Sequence, residues 1–231
     1  MNLKYFLCYV VLFVIWLCLT EHSYASIFLS PVNYAAGDGP VAVCCIDFNN
    51  DNDKDLAIIS RFSQTVSILL NNGDGTFQHT NIYSTEQLPA DIRTADLDND
   101  GDYDLAIANR DSPGFYVSIL INNGDATFQE KVNYVSGNHP SSLDICDFDN
   151  DEDLDLVTAN AYSDDISLLF NNGDGTFQNA VNYTTGDGPV GVLSVDYDND
   201  GDLDVITTND VSKDVTILEN DGSGVFQVDT T

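Results

Sequence analysis

Four times along the chain, at intervals of 49, 51 and 49 residues, a nine-residue acidic stretch runs straight into a short apolar segment. The stretches are DFNNDNDKD, DLDNDGDYD, DFDNDEDLD and DYDNDGDLD, opening at Asp47, Asp96, Asp147 and Asp196. Other landmarks keep the same step: Phe28, Phe77, Phe128, Phe177 and Phe226; Tyr34, Tyr83, Tyr134 and Tyr183; Pro40, Pro89, Pro140 and Pro189. Markers held in register across four units define a repeat protein. A repeat of this length constrains the fold more than any local propensity does.

One unit reads as four strands. FLSPVNY opens it; AAGDGP leads to VAVCCI; the acidic loop leads to LAIIS; RFSQT leads to VSILL; and NNGDGTF turns into the next unit. Short runs of Val, Ile, Leu and Tyr between Gly, Asn and Asp clusters are strand signals, and Asn-Gly and Asp-Gly pairs accept the positive φ angles of tight hairpins. The third strand is apolar or small on both faces, with Leu105 and Ile107 pointing one way and Ala106 and Ala108 the other. A strand covered on both sides lies between two sheets. Four-stranded antiparallel units that sandwich one another predict an all-β fold, a β-propeller of radially packed blades. A linear β-solenoid fits less well, because its repeats are shorter.

The acidic loops hold 20 of the 38 Asp and Glu residues. Like charges so close together repel, so a counter-charge is expected. Hard cations take oxygen ligands, and Ca²⁺ takes about six to eight. Alternate residues of a tight loop can aim several carboxylates at one point. In the second copy these are Asp96, Asp98, Asp100 and Asp104, with Gly101 at the bend and Asp102 offering its carbonyl. The opening is that of an EF-hand, but position twelve is Ile58, Ile107, Thr158 or Thr207 in the four copies, inside a strand, where an EF-hand needs Glu. The loop must close on its ninth residue instead.

With their following strands DLAI, DLAI, DLVT and DVIT and the NNGDGTF turns, these units resemble FG-GAP repeats of the VCBS type, the family of the seven-bladed integrin α propeller and of many secreted bacterial proteins. The resemblance runs from Phe28 to Gln227. It implies a β-propeller with up to four structural Ca²⁺ ions. Carried over copy by copy, the ligand positions are Asp47, Asn49, Asp51, Asp53 and Asp55; Asp96, Asp98, Asp100, Asp102 and Asp104; Asp147, Asp149, Asp151, Asp153 and Asp155; and Asp196, Asp198, Asp200, Asp202 and Asp204. Asn52 and Glu152 stand where the bend Gly is found, and Asn49 replaces a charged ligand, so the second and fourth sites are expected to bind tightest. With seven blades in the family and four repeats here, three closures are open: a small four-bladed ring, an arc of a larger propeller, or two chains joined as eight units.

The N-terminal 25 residues read as a signal peptide, with a short basic start, 14 apolar residues at 6–19, and small Ser23 and Ala25 before the cut. Residues 26–231 form the repeat domain, with units near 28–76, 77–127, 128–176 and 177–225. The expected location is therefore extracellular or at the cell surface. Of five cysteines, Cys44, Cys45 and Cys146 remain after cleavage. Adjacent Cys44 and Cys45 point to opposite faces of a strand and read as small packing residues, with a bridge from either to Cys146 left open. A formal net charge of −31 argues against nucleic acid and anionic membrane as partners.

In an antiparallel meander the acidic loop and the NNGDG turn share one end, and AAGDGP shares the other with the stretch after the third strand. The first pair hardly varies between copies. The last stretch differs every time (RFSQT, NRDSPGFY, NAYSDD, NDVSKD), and variable loops on a repeated scaffold are free for recognition. The resemblance likewise places partner binding on the face away from calcium. Candidate contact residues are Arg61, Phe62, Arg110, Phe115, Tyr116, Tyr162 and Lys213. The function expected is a secreted calcium-binding module for a glycan or protein ligand, without catalysis. His79 and His139 read as surface residues, and no nucleophile or zinc motif appears. The alternatives are the propeller part of a polysaccharide-active or phospholipase-like enzyme, or a structural segment of a larger surface protein.

Overall fold

In a computed structural model, residues 31–111 and 114–228 can be described, and from Ala35 onward they form one compact unit. The expected signal peptide lies outside the described residues. The unit holds four four-stranded antiparallel sheets and, among the described residues, no helix. Sheet 1 comprises β1 (Pro40–Ile46), β2 (Asp55–Ser60), β3 (Thr65–Asn71) and β4 (Phe77–Ser84). Sheet 2 comprises β5 (Pro89–Ala95), β6 (Asp104–Asn109), β7 (Tyr116–Leu120) and β8 (Val132–Val135). Sheet 3 comprises β9 (Pro140–Cys146), β10 (Asp155–Asn160), β11 (Asp165–Leu169) and β12 (Val181–Thr184). Sheet 4 comprises β13 (Pro189–Val195), β14 (Asp204–Asn209), β15 (Asp214–Asn220) and β16 (Phe226–Val228). Each sheet is an up-and-down meander, as the turn signals predict, and these are the blades of a β-propeller fold.

The sheets and the sequence repeat are out of phase by one strand. The strand that opens each repeat, carrying the Phe and Tyr landmarks, pairs with the last strand of the repeat before it: β4 with β3, and β16 with β15. Covalent continuity thus binds each sheet to the next. The first such segment, FLSPVNY, lies outside the described residues up to position 30, and its remainder at 31–34 is not strand. Each sheet's first strand opens on Pro, which has no N–H to donate and is tolerated at an edge strand's first residue.

Alternation along the strands builds the core. Leu105 and Ile107 of β6 pack with Ala57, Ile59, Val66 and Ile68 of sheet 1, while Ala106 and Ala108 face Leu143, Leu156 and Leu169 of sheet 3. Val157, Ile166 and Leu168 in turn meet Val205 and Leu218 of sheet 4. Each junction carries aromatic rings in edge-to-face contact, such as Phe48, Tyr83 and Phe128 in the first, at centroid distances of 5.6 and 5.5 Å from Phe128. No hydrophobic cluster among the described residues joins sheet 4 to sheet 1. The two faces left over are apolar and exposed, with Val43 at 59% and Ile82 at 60% on one, and Leu193 at 57% and Val215 at 58% on the other. Cys44, Cys45 and Cys146 are free thiols. Cys44 faces the first junction and Cys45 faces out, as strand alternation requires.

Candidate metal loops and the opposite face

The four acidic loops connect the first and second strands of each sheet, at the end where the third strand turns into the fourth. Their ninth residue is an anchor. Asp104 is buried and accepts the backbone N–H of Leu97 at 2.8 Å on one oxygen and that of Asn122 at 2.7 Å on the other. Asp55, Asp155 and Asp204 repeat this double contact with Phe48 and Asn71, Phe148 and Asn171, and Tyr197 and Asn220. One carboxylate therefore ties each loop to the neighbouring turn of its own sheet.

In three loops the first, third and ninth residues converge. Carboxylate oxygens of Asp96, Asp98 and Asp104 lie within 4.8 Å of one another, as do those of Asp147, Asp149 and Asp155, and of Asp196, Asp198 and Asp204. Burial, aided by the charges of Asp98 and Asp100, pushes the Asp104 carboxyl up to about 7 against the pull of its two N–H donors. Burial likewise raises Asp155 to about 7, and raises Asp98 and Asp149, each with help from a neighbouring carboxylate. Two oxygens in these clusters, Asp149 Oδ1 and Asp196 Oδ1, are buried without a hydrogen-bond partner. Backbone N–H groups such as that of Asp100, which reaches both Asp96 and Asp98, satisfy part of each cluster, and the convergence of carboxylate oxygens fits a hard divalent cation with oxygen ligands, of which Ca²⁺ is the type.

The remaining acidic positions divide. Asp51, Asp100, Asp151 and Asp200 brace the bend: Asp100 Oδ1 accepts the N–H of Asp102 at 2.9 Å, and the others do the same two residues on. Asp102, Asp153 and Asp202 turn to the sheet before, where they accept the side-chain amides of Asn50, Asn99 and Asn150 at 2.6, 2.7 and 3.1 Å. In the first loop Asn49 donates to Asp51 at 2.9 Å. Asp47 accepts from the backbone of Asn49, Asp51 and Asn52.

Backbone conformation explains the bend position. Gly101 and Gly201 have φ of 94° and 103°, and Asn52 and Glu152 hold the same left-handed region at 70° and 74°. Glu152 carries a Cβ there without the short side-chain amide by which Asn tolerates this region, and is strained. Gly124 in the adjacent turn also lies at positive φ, 82°, and a Cβ there would in addition lie 2.4 Å from Asp102 Oδ2.

A set of asparagines joins the loops across sheets, and the local pattern gave no sign of it. Asn122 Nδ2 donates to the Phe48 carbonyl at 2.9 Å, Asn171 to Leu97 at 2.8 Å and Asn220 to Phe148 at 2.8 Å. Their recurrence as the first Asn of every NNGDG-type turn was the available signal.

At the other end, Arg61, Arg110 and Tyr162 occupy the loops after β2, β6 and β10, with Phe62 beside Arg61. His139, just before β9, stacks on Tyr162 with ring centroids 4.1 Å apart and planes 8° apart, and its Nδ1 lies 3.1 Å from the Arg110 carbonyl oxygen. Burial and the nearby charge of Arg61 lower the Arg110 pKa. Phe115 and Tyr116 are half-buried at the entrance to β7, and exposed Lys213 lies in the sheet 4 loop. His79 sits within β4, paired with Leu69.

A model of the FG-GAP-like repeat matches residues 47–107, 96–158 and 147–207. Curated protein sequences give no match. Among solved structures, similarity extends to an Agrocybe aegerita lectin described for specific recognition of non-reducing terminal N-acetylglucosamine (TM-score 0.53, 23% identity, 80% of this chain and 50% of that one). BBS1N, solved in complex with ARL6DN, gives a TM-score of 0.56 at 15% identity over 88% of this chain and 59% of that one. The V. cholerae biofilm matrix protein Bap1 aligns at a TM-score of 0.47 and 17% identity over 83% of this chain and 30% of its own. The chain thus spans between half and three fifths of the first two structures' length.

Proposed function

The chain belongs to the FG-GAP-like repeat family, and on that premise we propose that it is an extracellular calcium-binding β-propeller module that recognises a glycan or protein ligand and has no catalytic role. The observation that carries the metal part is the convergence of three carboxylates per loop in three successive loops. Asp96, Asp98 and Asp104, and their counterparts in the next two loops, would hold the ion, whose charge would offset their repulsion, and the loops join the sheets because each Asn–Asp contact crosses from one sheet to the next. The ion's part is structural. The Agrocybe lectin supports sugar recognition as one use of this fold, and the variable loops at the far end supply the differences that recognition needs.

The test is binding of the full chain to a panel of immobilised glycans in millimolar Ca²⁺ and in chelator. The reading predicts retention on a restricted set of glycans that is lost in chelator. No retention on any glycan in Ca²⁺ would remove the glycan-recognition part of this reading.

A further inference from the structure

Resting on that recognition reading, we infer that the end opposite the acidic loops carries a binding site for a sugar bearing one anionic group, a carboxylate or a sulfate, built from Arg61, Arg110, His139, Tyr162 and Phe62. The chain has seven Lys and Arg against 38 Asp and Glu, so arginines should find carboxylates easily. Yet the ion pairs among the described residues are Arg93–Asp91 and Lys131–Glu86, and neither Arg61 nor Arg110 has one. They stand on loops of neighbouring sheets instead, near enough for the Arg61 charge to act on Arg110.

Their hydrogen-bonding capacity is also unspent. Arg61 Nε and Arg110 Nε are buried without a partner, and among the described residues the Arg110 side chain makes one bond, a long contact of 3.5 Å from Nη2 to the Ser141 carbonyl. Asp91, whose charge acts on Arg110, is engaged elsewhere: Oδ1 takes Arg93 at 2.7 Å, and Oδ2 takes Ser142 and the Leu143 N–H at 3.2 and 3.1 Å. Two adjacent like charges with buried, unused donors are a costly arrangement that an oxyanion would relieve, and the guanidinium fork suits carboxylate and sulfate geometry.

The aromatic residues make the ligand a sugar. Tyr162 is 70% exposed and backed by His139, and Phe62 is 65% exposed, its ring lying against Gly39. Both stand beside the arginines on neighbouring loops and offer flat apolar faces to the C–H surface of a pyranose ring. A polyanion is disfavoured, because a chain of net charge −31 repels it at a distance. One anionic group fits the local charge.

The experiment titrates the full chain in millimolar Ca²⁺ with glucuronate, glucose 6-sulfate, glucose and an N-acetylated aspartate amide, followed by calorimetry or ligand-observed NMR. The expected result is binding of glucuronate, glucose 6-sulfate or both, the stronger arm identifying the group, with glucose and the aspartate amide at least about tenfold weaker. Arg61→Gln and Arg110→Gln should each weaken the anionic sugar by about tenfold or more, and Tyr162→Ala should weaken it while leaving calcium-dependent melting unchanged. Equal binding of glucose and glucuronate, equal binding of the aspartate amide, or insensitivity to both arginine substitutions would overturn the site. Neutral glycans retained by the wild type and by both arginine variants would overturn this inference alone. Failure of every ligand on the wider panel would overturn the recognition reading with it.

Discussion

Glu152 and Asp104 show how much single residues decide here. Glu152 occupies a bend that two sister loops give to glycine, at φ 74°. Glu152→Gly is expected to stabilise the protein by about 1 kcal/mol, read from denaturant melts, and Gly101→Ala to destabilise it by a similar amount. Asp104 and Asp155 make the metal-free loops pH-sensitive. Both are raised by burial to about 7 from an unfolded value near 3.8. The folded state therefore holds protons that the unfolded state has released between those values. In chelator, the contribution of these two groups to stability is full below the lower value and is lost as pH rises through the upper one. Ca²⁺ takes the ionised carboxylates, so the melting increment it gives should grow from pH 5 to pH 8. An increment that shrinks over that window would contradict the assignment.

At the scale of elements, what could be read from the sequence was periodic and local. The opposed faces of Leu105/Ile107 and Ala106/Ala108 followed from alternation, and they are buried against different sheets. The acidic loops followed from spacing, and three of the four bring their first, third and ninth residues together. Hidden from that reading were the contacts between sheets, whose partners lie 52 to 54 residues apart for the Asn–Asp pairs and 72 to 74 for the turn asparagines. No local pattern encodes such a distance, and nothing near Asp102 announces that its side chain meets Asn50. Asn122→Ala should cost about 1–3 kcal/mol, because it removes the amide bonds from this buried side chain to the Phe48 and Tyr103 carbonyls and leaves the Phe48 carbonyl with the Ala126 N–H alone. Strand alternation also sets thiol chemistry. Burial pushes Cys44 up to about 12, whereas Cys45 is exposed. A thiol reagent at pH 8 should modify Cys45 in the folded protein and reach Cys44 only on unfolding, and equal rates would refute the register of β1.

Over the whole molecule, the two ends of the fold differ in composition. One end repeats the same carboxylates and asparagines from sheet to sheet, which suits a scaffold. The other end varies and gathers two of the few cations beside exposed aromatic rings. The outward faces of sheets 1 and 4 are apolar and exposed, and the mass of the full chain in solution separates a lone set of four sheets from a larger assembly. The central claim is that calcium holds the sheets together through their acidic loops. The most direct measurement is thermal melting of the full chain in millimolar Ca²⁺ and in chelator at pH 7.5, with bound ions counted in parallel. The account predicts a higher, cooperative transition in Ca²⁺ with at least three ions bound at the three converging clusters. Identical melting in the two conditions, with no ion retained, would contradict it.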